Sequence, residues 1–136
     1  MLTPTIQNQI IEVILKKIDV DFIILFGSFA KEMQRESSDL DIAFFSQQRI
    51  SAYDRFLLAS ELAEATGREV DLVDIRNLDT VFTMQIFSQG LPIFINNHDQ
   101  FYIQRMRAYS MYLALNEQRA PVIESIKERG SVFGYE

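Results

Sequence analysis

The stretch Phe22-Ile23-Ile24-Leu25-Phe26-Gly27-Ser28, followed after ten intervening residues by Asp39-Leu40-Asp41-Ile42, decides how this chain is read. Phe22 to Phe26 is a short run of aromatic and branched apolar residues, the pattern of a buried strand, and Gly27 ends it. Ser28 to about Gln34 can form a short helix, whose N-terminal N–H groups would face an anion. Glycine lets that anion approach the backbone closely, and the Ser28 hydroxyl can bond a terminal phosphate oxygen. Leu40 to Phe45 is a second strand, in which the pleat sets Asp39 and Asp41 on one face and Leu40 and Ile42 on the other. Two carboxylates held this close repel, which makes sense where a divalent cation bridges them, and magnesium suits such oxygen ligands. Each feature alone also has a plain structural reading: a strand-to-helix turn with glycine and a capping serine, and a solvated Asp-x-Asp turn.

A third carboxylate sits in Val70-Asp71-Leu72-Val73, inside a strand expected from Glu69 to Ile75. If this strand lies beside Leu40–Phe45, Asp71 completes a three-acid site able to hold a second ion and to accept a proton from an attacking hydroxyl. Asp74 is the competing acid, but alternation puts it on the opposite face, as a solvated strand end.

Around this centre the chain alternates strands and helices. Thr3-Pro4 caps an amphipathic helix carrying Ile6, Ile10, Ile14 and Ile18. Ser51 to Asp54 resembles a capping box, and Gly67 ends the helix it opens. A short helix is expected from Asp79 to Phe87, closed near Gly90, and a fourth strand from Leu91 to Ile95. About Asp99 to Arg129 is helical, with Tyr102, Met106, Tyr109 and Leu113 on one stripe, and Pro121 should break or restart it. His98 reads as a turn residue after Asn96-Asn97. Without repeat or linker, this is an α/β (α+β) fold in one domain, residues 1–136.

Composition narrows the chemistry. Of 136 residues, 48% are hydrophobic and 24% charged, the balance of a globular chain. Thirteen basic against nineteen acidic residues, a net charge of −6, disfavour a broad contact with nucleic acid. Zero cysteines exclude disulfides, thiolate nucleophiles and cysteine metal sites, and a single histidine leaves little room for imidazole chemistry. No apolar run is long enough to cross a membrane and no signal-like N-terminus is present, so a soluble cytoplasmic protein is expected. Most of the eleven phenylalanines and five tyrosines belong in the core, while Val132-Phe133-Gly134-Tyr135 could dock on a partner.

Together, Gly27-Ser28, the ten-residue gap, Asp39-Leu40-Asp41 and the later Asp71 resemble the polymerase-beta-type nucleotidyltransferase superfamily. In length and element order the chain is similar to its minimal nucleotidyltransferase family. The resemblance implies a small mixed sheet flanked by helices, with a long C-terminal helical segment. It implies two Mg2+ ions held by Asp39, Asp41 and Asp71, and ATP positioned by Gly27 and Ser28. Lys31 is the nearest basic residue after that pair, and Arg35 a weaker candidate. Phe29 and Glu32 stand where many relatives carry arginine and glycine. The family further implies an antitoxin that transfers AMP to a tyrosine of a HEPN-domain RNase toxin, in a hetero-oligomer with that toxin and without direct contact to nucleic acid or membrane. Two other functions use the same features: an aminoglycoside-type small-molecule nucleotidyltransferase, and a non-catalytic antitoxin acting by binding alone.

Overall fold

The structure is a computed structural model and describes residues 3–28 and 39–128, from 119 onward as backbone only. Helix α1 (Pro4–Lys17) starts where Thr3 Oγ1 accepts the Ile6 N–H, with proline at the first helical position. It is followed by β1 (Phe22–Phe26) and β2 (Leu40–Phe45). Helix α2 (Ala52–Thr66) opens on the Ser51 cap and closes on Gly67, whose φ is +71°. Strand β3 (Val70–Asp74), α3 (Thr80–Gln89), β4 (Leu91–Ile95) and α4 (His98–Glu128) complete the order.

The four strands form one mixed sheet in the order β3-β2-β1-β4, with β2 and β3 parallel and the other pairs antiparallel. Pleat alternation splits its side chains between two cores. Ile23, Leu25, Leu40, Ile42, Phe44 and Leu72 pack with Ile10 and Ile14 of α1 and Leu58 and Leu62 of α2. On the other face Phe22, Ile24, Ala43 and Phe45 meet Ile86 and Phe87 of α3 and Phe101 and Ala108 of α4. Phe22 is the hub there, stacked on Phe45 at 5.3 Å and met edge-on by Phe101 at 5.1 Å.

Four sequence expectations shift. The third strand stops at Asp74 rather than Ile75, because the Asp74 carboxylate accepts the Arg76 N–H at 3.0 Å and caps a single 3-10 turn, Ile75–Asn77. Asp74 does lie on the face opposite Asp71, but it is only 8% exposed and serves as this cap, not as a solvated end. Helix α4 runs through position 121 without a break; proline's fixed φ is itself helical, and a helix this long tolerates one missing hydrogen bond. His98 is its first residue, after Asn97, whose side chain accepts the Gln100 N–H at 3.1 Å. The tail at Val132–Tyr135 lies outside the described residues.

Candidate active site

The carboxylates gather at one end of the sheet. Asp41 pairs in register with Phe26 of β1 on one side and with Asp71 of β3 on the other. Register partners on neighbouring strands project the same way, so Asp41 and Asp71 stand side by side on the face that carries Ala43, Phe45 and Val73. Asp39, two residues before Asp41, is exposed at the strand mouth and shares that face by alternation. The Leu40 N–H donates to the Glu69 carbonyl at 2.8 Å, which ties the mouths of β2 and β3 together.

Electrostatics reports the same convergence. Burial pushes the Asp41 carboxyl above the usual carboxylate range, and the charges of Asp71 and Asp39 push it further the same way.

Gly27 makes room for this group. Its φ of +72° lies in the left-handed region, and a Cβ there would overlap Asp41 Oδ2 and sit 3.1 Å from Asp41 Cγ. Only glycine satisfies both the turn and the carboxylate behind it. Ser28 follows, half-buried, at the same end of β1. Lys31 and Arg35, with Phe29, Glu32 and the short helix expected to Gln34, lie outside the described residues.

Three carboxylates whose charges already crowd one another suit a hard divalent cation. Among the described residues no three acidic or imidazole side chains are drawn into a closed cage. The strand ladder nevertheless fixes Asp41 beside Asp71 through the backbone.

Sequence reasoning missed the wall opposite Gly27. Phe82, Gln85, Ile86 and Gln89 of α3, with Phe26 and Gly27, line a cavity of about 180 Å³. Their helical spacing was legible, but only the packing of α3 on β1 turns that stripe toward the glycine.

A mixed sheet whose central strands present Gly-Ser and Asp-x-Asp, with a further acid on the neighbouring parallel strand, is a nucleotidyltransferase core. The chain belongs to the polymerase beta nucleotidyltransferase family, which matches residues 8–99.

Among individual proteins it is similar to the protein adenylyltransferase MntA of Shewanella oneidensis, 32% identical over 121 residues, 88% of this chain and 86% of that one. A toxin–antitoxin crystal structure with AMP-PNP superimposes with a TM-score of 0.80 at 31% identity, covering 89% of this chain and 98% of the other. A complex of a tri-AMPylated Shewanella oneidensis HEPN toxin with its minimal nucleotidyltransferase antitoxin gives 0.75 at 30% identity, covering 90% and 97%. No helix among the described residues is long and apolar enough to cross a membrane.

Proposed function

We propose that this chain is a cytoplasmic antitoxin that transfers AMP from ATP to a tyrosine hydroxyl of a HEPN-domain toxin and so neutralises it. The observation that carries the chemistry is the Asp41–Asp71 register pair beside Asp39, with the Asp41 carboxylate seated against Gly27. Asp39, Asp41 and Asp71 would hold two Mg2+ ions. When bound, these supply positive charge against the phosphates and ease ionisation of the attacking hydroxyl. Gly27 and Ser28 would receive the triphosphate, with Lys31 the nearest basic residue after them in the sequence, and Asp71 would accept the tyrosine proton. The tyrosine oxygen bonds to the α-phosphorus, the bond from that phosphorus to the bridging oxygen breaks, and pyrophosphate leaves with the electron pair.

Resemblance to a relative named protein adenylyltransferase, and to antitoxins crystallised with their toxins, supports this choice of acceptor. One relative's toxin carries three AMP groups, and we extend repeated transfer to this chain. The surface of α4 also supports a protein partner. The stripe Tyr102, Met106 and Leu113 is not the buried side of α4: these residues are 54%, 69% and 62% exposed, whereas Phe101 and Ala108 face the core. A helix that is apolar on both sides calls for cover on both.

The test incubates the protein with its toxin, Mg2+ and ATP labelled at the α-phosphate. Label on a toxin tyrosine, lost with Asp41→Asn, is the expected result. Label on an added aminoglycoside instead, or a tight complex that stays unlabelled, would overturn it.

A further inference from the structure

A larger groove lies on the same sheet face as the acids, toward the other end of β2. Its volume is about 490 Å³, in the range of small-molecule sites. It runs between Phe45, the turn at Ile75 and Arg76, α3 and α4. Phe45 is four residues beyond Asp41, about 13 Å along the strand at roughly 3.3 Å per residue.

The groove inverts the charge of the chain. The protein carries −6 overall, yet none of the twelve lining residues is acidic and two are Arg76 and Arg107. Arg76 is held in position: its guanidinium lies over the Phe45 ring at 5.0 Å and donates to Gln47 Oε1 at 3.3 Å. Neither groove arginine forms a salt bridge with a carboxylate of the described residues; Asp21 reaches Arg76 through Gln47, whose Nε2 donates to Asp21 Oδ2 at 2.9 Å. Guanidinium forks match phosphate oxygens; the Gln100 and Gln104 carboxamides, which share one bond at 3.4 Å, and the Thr83 oxygen, whose proton goes to the Asp79 carbonyl, keep further donors and acceptors for a purine edge.

We propose that this groove is a second adenylate subsite. It holds an AMP unit already attached to the acceptor, its phosphodiester at Arg76 and Arg107 and its purine among the carboxamides, and thereby governs every transfer after the first. This rests on the AMP-transfer reading above. In a later round, a ribose hydroxyl of the last adenylate bonds to the α-phosphorus of ATP and the bond to the bridging oxygen breaks. Pyrophosphate leaves with the electron pair, and the hydroxyl proton passes to a carboxylate of the acid set.

The experiment compares the full chain with its Arg76→Gln/Arg107→Gln variant, both side chains being exposed. Intact-mass spectrometry follows the number of AMP groups on the toxin over time, and calorimetry measures binding of the dinucleotide ApA to each protein. Losing charge-assisted hydrogen bonds should slow the later transfers and weaken ApA binding by about ten- to a hundredfold. The first transfer should keep its rate and its KM for ATP, so that singly modified toxin accumulates. An unchanged product distribution, equal ApA binding, or a raised KM for ATP in the first transfer would each overturn the proposal. Failure of the wild-type protein to modify the toxin at all defeats the AMP-transfer reading instead, and ApA binding then decides whether the groove takes adenylates.

Discussion

Replacing Asp41 with asparagine should destroy activity and yet stabilise the fold. Asp41 is partly buried between two acids and, among the described residues, accepts no hydrogen bond that asparagine would lose. Its raised pKa means that the folded chain holds the proton more tightly than the unfolded chain does. The stabilising contribution is therefore full below the ordinary carboxylate range, is lost as pH rises through the folded-state pKa, and leaves a repulsive cluster at neutral pH. Neighbouring strands lie about 4.8 Å apart. At about 5 Å, Coulomb's law gives roughly 1 to 3 kcal/mol per pair for effective dielectrics from 80 down to 20. Asp39 and Asp71 are exposed, which favours the lower end, about 1 kcal/mol. For a domain of this size that corresponds to a melting temperature higher by about 3 °C. Thermal unfolding of both proteins at neutral pH and low salt measures the difference, which should shrink as salt screens the charges. Adding Mg2+ should raise the wild-type melting temperature and leave the variant nearly unmoved. An Asn variant that melts no higher than wild type at neutral pH, or that gains as much from Mg2+, would refute the argument.

Gly27→Ala should cost about 1 to 2 kcal/mol in backbone strain and, by displacing the Asp41 carboxylate, lower AMP transfer about a hundredfold; denaturant melts and the labelling assay separate the two effects. Phe22→Ala should destabilise by about 3 to 5 kcal/mol, because Phe22 is fully buried against Phe45, Phe87 and Phe101. Chemical denaturation checks the value. Met106→Glu/Leu113→Glu should leave stability within about 0.5 kcal/mol, both side chains being exposed, while weakening the complex with the toxin at least tenfold by calorimetry. Chelating divalent cations should abolish labelling without unfolding the chain, as circular dichroism would show.

Much of this architecture was legible because its signals are local. The Thr3 and Ser51 caps, the Gly67 stop and the apolar run Phe22–Phe26 each act within a few residues, and the elements they announce are present. The alternation of β2 and β3 likewise placed Asp39 with Asp41 and separated Asp71 from Asp74. Where the sequence misled, a competing contact won. Asp74 turned back on the Arg76 amide and ended its strand early. On α4 the sequence left the inward side open, and packing put Phe101 and Ala108 toward the core and Tyr102, Met106 and Leu113 outside.

By itself, the sequence determined which residues carry charge, which segments must be strands or helices, and that Gly27 ends β1. The pairing of β2 with β3 in parallel, with Asp41 opposite Asp71, belongs to the tertiary structure, because register between segments some thirty residues apart is set by how two hydrophobic faces pack. So does the groove of Arg76 and Arg107: the two arginines lie on separate elements, and only the docking of α4 beside α3 puts both on one wall.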